Sequence, residues 1–121
     1  MQAESTTPAA LHAQLQLAQN IRSFATTTLG LPDNDSYRRY ADVGRPFVVW
    51  NVFATAPYAV EPLQWCFLVA GCVSYRGHFA EATAQADAAN LRARGLDVHI
   101  AGVSAYSTLG WFSDPVLNTF I

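Results

Sequence analysis

One stretch near the middle of the chain reads Pro46-Phe47-Val48-Val49-Trp50-Asn51-Val52-Phe53-Ala54. Most of its residues are β-branched or aromatic, the types that pack well on a pleated surface. The stretch is apolar at both alternating positions apart from Asn51, which is typical of a strand covered on both faces. We therefore expect a central β-strand here.

Upstream of this strand the pattern changes to that of a helix. Leucine and alanine recur at steps of three, four and seven residues over positions 11–29, which predicts an amphipathic helix. Thr7 before Pro8 is a helix start signal, because threonine caps and proline suits the first turn. Gly30 and Pro32 are expected to end the helix.

Downstream, the pattern predicts two strands, a helix and a last strand. Gln64–Ala70 and Cys72–Tyr75 are expected to be strands on either side of a kink or hairpin at Gly71. Helix formers over Ala80–Arg94 predict a second helix, and alternation from residue 96 to residue 100 predicts a half-exposed strand. A strand-helix-strand order favours a crossover with parallel pairing.

These elements predict an α+β fold: a mixed β-sheet with an N-terminal helix and a crossover helix. Near the end of the sequence, Ser113 or Asp114 before Pro115 predicts another helix start. Only residues 115–121 follow, fewer than an isolated helix needs to persist. We interpret this end as an interruption of a longer fold, and a short capping helix docked on the sheet is the alternative.

The composition restricts the function classes. Hydrophobic residues make up 51% of the 121 residues and charged residues 13%, about half the roughly 25% usual for a soluble domain. A net charge of −2 with scattered arginines and no lysine argues against a nucleic-acid partner. The low charge indicates either an unusually large core or apolar surface that a partner covers, and we favour the partner. The polar opening of the sequence is not a signal peptide.

No catalytic or metal motif is present in the sequence. His12, His78 and His99 are far apart, and no H-E-x-x-H pattern occurs. Cys66 and Cys72 flank the expected kink, where a small disulfide and two buried thiols are equally good interpretations. Neither a nucleophile elbow nor a phosphate loop is found, so motifs alone indicate no function.

Longer blocks of sequence carry a resemblance. They are Leu29–Asn34, Ser36-Tyr37, Tyr40–Asp42, Gly44–Pro46, Val48–Val52, Trp65–Phe67, Ala70–Gly77, Ala105–Phe112 and Asp114–Asn118. The blocks are long and aromatic-rich, and the match runs from about Asn20 to the end, over four-fifths of the chain. On these blocks the chain resembles the predicted aminopeptidases of the bacterial envelope, a zinc-dependent, zincin-like family.

The resemblance implies a zincin-like fold and a parent that hydrolyses peptide bonds with zinc, in the envelope or periplasm and as a lipoprotein. Leu68 and His78 depart from the residues usual in the family, without altering the fold class. In the family an H-E-x-x-H helix follows the block that ends at Asn118, and this sequence lacks it. We therefore expect a single domain over residues 1–121, the N-terminal portion of an aminopeptidase truncated at its C-terminus, inactive alone and holding no catalytic residue, metal ligand or cofactor.

Two functions follow as expectations. In the first, the chain is the non-catalytic, substrate-side portion of a zinc aminopeptidase, with a Cys66–Cys72 disulfide and a peptide as its partner. The substrate-binding residues would lie in a strand or adjoining loop before the missing helix, and they are Tyr106, Ser107, Thr108 and Gly110. The alternative to substrate binding is that Tyr106 and Trp111 are ordinary core residues. In the second, the chain is a stand-alone interaction domain that self-associates through its apolar C-terminal segment.

Overall fold

The computed structural model describes residues 7–69 and 71–121. The polar opening over residues 1–6 and Ala70, the last residue of an expected strand, lie outside the described residues. Helices and strands are both present, and the expected α+β class is confirmed. The elements, in chain order, are α1 (Ala9–Thr27), β1 (Tyr40–Ala41), β2 (Val49–Thr55), β3 (Trp65–Phe67), β4 (Gly71–Val73), β5 (Arg76–His78), α2 (Glu81–Ala93), β6 (Asp97–Val103) and β7 (Val116–Leu117).

The chain divides into two compact units. The sheet unit comprises Phe47–Ser104, and the terminal unit comprises the described residues up to Pro46 together with Ala105–Ile121. Whether the two units behave as the single domain expected from the sequence stays a prediction. In the described part of the chain, no helix is long and apolar enough to cross a bilayer.

The sheet unit is built around β2, the central strand expected from the sequence. It pairs antiparallel with β5 on one side and with β6 on the other. Trp50, Val52 and Ala54 point to one face of the sheet, because alternate residues of a strand share a face. Helix α2 covers this face with Ala84, Ala88 and other buried residues. Small alanines let the helix approach the sheet closely.

Helix α2 ends as the sequence predicts. Gly95 has a φ of 82°, a conformation that suits glycine because it has no Cβ. Its N–H donates to the carbonyl of Arg92 at 2.9 Å, and the N–H of Leu96 donates to the carbonyl of Leu91 at 3.3 Å. These two bonds form a Schellman motif, which satisfies the last carbonyls of the helix and turns the chain into β6.

The expected parallel pairing across α2 is wrong. Strands β5 and β6, which flank α2 in the sequence, do not pair with each other, since β2 lies between them. Both are antiparallel to β2, so they run in the same direction without sharing hydrogen bonds. Parallel pairing occurs instead between β1 and β7. The strand expected at Cys72–Tyr75 did not extend to Gly77, which lies within β5, opposite Asn51.

The segment around Gly71 is a hairpin. Strands β3 and β4 pair antiparallel, with Cys66 directly opposite Cys72. The two cysteines form a disulfide, which resolves the alternative that the sequence left open. Gly71 has a φ of 74°, as expected for a residue at the end of a tight turn. The turn exposes Leu68 and Val69 completely.

The terminal unit contains α1 and the short parallel pair of β1 and β7. Helix α1 begins after Pro8 without the side-chain cap expected from Thr7, and Gly30, with a φ of 66°, follows its end. The helix has no buried residue. The helix expected to start at Ser113 or Asp114 is also wrong, because Pro115 leads into β7 and the N–H of Val116 donates to the carbonyl of Arg39 at 2.7 Å.

Candidate functional site

The residues predicted to bind substrate lie in an irregular loop of the terminal unit, which we call the 105–115 loop. The sequence left open whether these residues form a strand or an adjoining loop. They form a loop, since the structure has no strand at Tyr106, Ser107, Thr108 and Gly110. Leu109 and Gly110 both have positive φ, 55° and 86°, so the backbone turns sharply there. Whether these residues contact a substrate stays a prediction.

Hydroxyl groups hold this loop together internally. The Oγ of Ser107 accepts a bond from the N–H of Leu109 at 3.0 Å. The hydroxyl of Thr108 lies 3.2 Å from both the N–H and the carbonyl oxygen of Phe112. The carboxylate of Asp114 accepts a bond from the N–H of Thr108 at 2.9 Å. The predicted polar residues therefore fix the shape of the loop and leave few hydroxyl groups to offer a ligand.

A buried serine anchors the same loop to the chain that precedes β1. The Oγ of Ser36 accepts a bond from the N–H of Asp114 at 3.3 Å and donates to the carbonyl of Phe112 at 3.5 Å. The N–H of Tyr37 donates to the carbonyl of Asp114 at 2.6 Å. Ser36 and Asp114 are both buried. Their burial with satisfied hydrogen bonds gives the loop one fixed conformation.

The fixed loop presents apolar side chains to solvent. Leu109 and Trp111 are each 85% exposed, and Phe112 is 74% exposed. The alternative that Trp111 is an ordinary core residue is therefore wrong, whereas Tyr106 is partly covered, at 41% exposed. An exposed cluster of this kind in a well-held loop is typical of a contact surface.

The sheet unit offers a second surface, the outer edge of β6. In an antiparallel ladder, each residue directs both its N–H and its carbonyl either toward the partner strand or away from it. The carbonyl of Ala54 accepts a bond from Leu63 on the β5 side, so its partner Val98 directs its polar groups outward. Ile100 and Gly102 share this orientation because they follow at steps of two. Among the described residues, β6 has no partner strand on that side.

One end of this edge is occupied by a side chain of α2. The guanidinium of Arg92 donates to the carbonyl of Val98 at 3.1 Å. A charged side chain on an edge strand limits its pairing with other chains. The outward groups of Ile100 and Gly102 are not covered in this way within the described part of the sheet unit. The edge is therefore open at two of its three outward-facing residues, Ile100 and Gly102.

A third feature is a cluster of charged side chains between β5 and α2. Nε2 of His78 lies 2.9 Å from one oxygen of Asp87, and Nη1 of Arg76 lies 3.2 Å from the other. Arg76 also lies over the ring of Trp65, with its guanidinium carbon 5.4 Å from the ring centroid. This cluster was not among the sites expected from the sequence. The spacing of Arg76 and His78, two residues apart on one strand, was the available signal.

The donor groups do not fit a zinc ion. In the described residues, no three side chains of histidine, cysteine, aspartate or glutamate lie close enough to bind one metal. Both cysteines are joined in a disulfide, and Asp87 is already paired with Arg76 and His78. Zinc needs three or four converging ligands. We therefore derive no step through zinc.

The fold is α+β, and its described surfaces include an open strand edge on β6 and exposed apolar side chains in the 105–115 loop. A family model described as "Putative aminopeptidase" matches residues 1–121, and the chain belongs to that family. No curated protein and no solved structure matches the chain.

Proposed function

We propose that this chain is the substrate-side, non-catalytic portion of a zinc-dependent aminopeptidase, and that it holds an extended peptide along the outer edge of β6. The observation that carries the proposal is the open edge at Ile100 and Gly102, next to a covered position at Val98. An extended peptide added to a sheet edge gains main-chain hydrogen bonds irrespective of its side chains. Membership of an aminopeptidase family makes a peptide the expected occupant.

The chemistry of the edge defines how a peptide would lie. Ile100 and Gly102 each offer one N–H and one carbonyl, so a bound strand forms up to four main-chain bonds with them. Gly102 is exposed, and the ring of Phe47 fills the place that a side chain at this position would take, so residue 102 offers only its main chain to the edge. Only alternate residues of the bound peptide direct their polar groups to β6, and the others face away.

This alternation gives a direct test by N-methylation. The probe is a six-residue peptide of alternating threonine and valine, acetylated and amidated at its ends. Two derivatives carry N-methyl groups, one at the odd positions alone and one at every position. The first keeps one edge free and should bind like the parent peptide, whereas the second should lose binding because its methyl groups block both edges, as measured by NMR titration. Equal affinity of the two derivatives would contradict edge binding.

We also propose that the 105–115 loop contacts the substrate through Tyr106, with Ser107, Thr108 and Gly110 shaping the backbone. Its fixed conformation and exposed apolar side chains support this. In an active longer protein, Tyr106→Ala and Ser107→Ala should raise KM while the zinc content stays constant. An unchanged KM for both variants would contradict the proposed contact between the 105–115 loop and the substrate.

A second candidate function is a stand-alone interaction domain that self-associates, and it is favoured by the exposed Leu109, Trp111 and Phe112. Sedimentation velocity distinguishes it from the first. Self-association through this loop should disappear in a Leu109→Ser, Trp111→Ser variant. A monomer at every concentration of the unaltered chain would argue against the second candidate and leave peptide binding at β6 untouched.

The location proposed is the bacterial envelope or periplasm, with the parent anchored as a lipoprotein. The Cys66–Cys72 disulfide supports it, since disulfides persist in oxidising compartments. Fractionation of cells that express the full gene, with thiol labelling of the two cysteines, checks the proposal. Reduced cysteines in a cytoplasmic fraction would contradict it.

A further inference from the structure

The sheet unit contains a cleft that no predicted role uses. It has a volume of about 370 Å³, at the lower end of the range for ligand sites. This volume has room for a group as large as an aromatic side chain. Its lining is mostly apolar, and the residues are Phe53, Ala54, Thr55, Val60, Pro62, Asp97, Val98 and His99.

The loop between β2 and β3 forms one wall of the cleft and is held in place by β2. Thr55 makes a bridge with Pro62, and its Oγ1 lies 2.9 Å from the carbonyl oxygen of Glu61 and 3.1 Å from that of Ala59. These contacts fix the return of the loop, so the wall is built by the fold. Val60 on this wall is nevertheless 98% exposed, and an occupant would cover it.

The opposite wall carries two polar side chains from β6. Asp97 and His99 are both exposed, and as alternate residues they lie on the same face of the strand, about 7 Å apart. Among the described residues the carboxylate of Asp97 forms no ion pair, whereas Asp33 and Asp87 each pair with arginine. The cleft therefore combines an apolar lining with an unpaired negative charge at its rim.

We propose that this cleft binds an amine with an apolar body, an aliphatic or aromatic group of one side chain's size that carries a protonated nitrogen. Asp97 pairs with the ammonium group, His99 offers a hydrogen-bonding nitrogen beside it, and Phe53, Val60 and Pro62 contact the body. The amino-terminal residue of a peptide and a free small amine share this chemistry. The proposal does not depend on the edge of β6, because the capped peptide used there carries no amine.

Binding is measured by NMR titration with 2-phenylethylamine, and 3-phenylpropionate is the matched probe of opposite charge. The amine should shift the resonances of Val60, Asp97 and His99 saturably, and the anion should not. Asp97→Asn keeps the shape of the side chain and should weaken amine binding about fivefold, the effect of one partly exposed ion pair. Asp35→Asn, an exposed aspartate of the terminal unit, should leave it unchanged.

The apolar wall is tested with a second pair of variants. Val60→Ala should weaken amine binding about threefold to tenfold, because it removes two methyl groups from the contact. Val69→Ala removes the same atoms from a valine that is equally exposed on another loop, and it should have no effect. Both valines are exposed, so neither change should prevent folding.

The source of the amine is distinguished by a tripeptide of phenylalanine and two alanines, with a free or an acetylated amino terminus. Tighter binding of the free tripeptide than of 2-phenylethylamine would assign the cleft to peptide amino termini, and the reverse would assign it to small amines. The proposal is overturned if the acetylated tripeptide and 3-phenylpropionate bind as tightly as the amine. It is also overturned if no probe gives a saturable shift at Val60 and Asp97.

Discussion

Different forces stabilise the sheet unit and the terminal unit, each within itself. The sheet unit has a core of buried apolar side chains between β2 and α2, including Val52, Ala88 and Leu91. In the terminal unit, α1 buries no residue and exposes Leu17 and other apolar side chains. Among the described residues of this unit, the buried side chains are Ser36, Asp114 and Val116, and hydrogen bonds hold the first two.

An arginine of α1 shows how the terminal unit is organised. The guanidinium of Arg22, 11% exposed, donates to the carbonyls of Ser36, Pro32 and Asn34 at 3.0–3.3 Å. It also forms an ion pair with Asp33 at 3.2 Å. A planar group with five donors suits this clustering of carbonyls. Apolar residues that lie outside a core, such as Leu17 on α1, therefore remain available as contact surface.

Leu91→Ala should have the largest effect, because it opens a cavity in the core of the sheet unit. Leu91 is 3% exposed, and truncation of a buried leucine lowers the free energy of unfolding by about 2–5 kcal/mol. Urea denaturation measures the change. Leu68→Ala, on the fully exposed hairpin turn, is the control, and an equal loss in the two variants would mean that the core is not where we place it.

Removal of the Cys66–Cys72 disulfide should have the next effect. A loop this short adds about 2 kcal/mol by restricting the unfolded chain. The double change Cys66→Ser, Cys72→Ser should lower the melting temperature of the sheet unit, as seen by calorimetry. A reductant should then have no further effect on the variant. Unchanged stability on reduction of the unaltered chain would argue that the bond contributes nothing.

Ser36→Ala tests the polar organisation of the terminal unit. The change leaves the buried N–H of Asp114 and the carbonyl of Phe112 without their partner, at a cost of about 1–2 kcal/mol. Hydrogen exchange at the amides of Thr108 and Phe112 should become faster, because the loop loses its anchor. Ser113→Ala, in the same loop but exposed, is the matched control. No change in exchange would contradict the proposed anchor.

The smallest effect concerns pH. Burial raises the pKa of the Tyr40 hydroxyl above its usual value of 10.0, and the Asp42 carboxylate adds to the rise. The folded state therefore keeps a proton that the unfolded state loses. Stability from this source is complete below about pH 10 and falls as the pH rises through the raised pKa.

Tyr40→Phe should remove that alkaline loss, as measured by the free energy of unfolding on both sides of about pH 10. The control is Tyr58→Phe, which changes a fully exposed tyrosine. An identical alkaline loss in the Tyr40 variant and the unaltered chain would contradict the assignment.

Local pattern was enough to predict most elements of the sheet unit, but not β5, which lies beyond the strand expected at Cys72–Tyr75. The apolar run at β2 and the alternation in β6 each identified a strand, and helix formers with Gly95 identified α2. Strand order was not predictable, because β5 and β6 could lie side by side or on either side of β2. That choice depends on which strand buries Trp50 and Val52 best, a property of the assembled sheet.

The terminal unit was harder to predict. Pro115 is compatible with a helix start and with an extended segment. The segment is a strand because Val116 pairs with Tyr40. This pairing joins residues far apart in sequence, which no local pattern reports. The cleft was also beyond prediction, since it depends on the loop that returns along Thr55.

The most direct test of the central claim is hydrogen exchange at β6 with and without the capped peptide of alternating threonine and valine. The amides of Ile100 and Gly102 face the open edge and should become protected when the peptide binds. Those of Ala101 and Val103 face β2 and should exchange slowly in both states. Protection that appears in the 105–115 loop or in α1, with none at Ile100 and Gly102, would contradict edge binding.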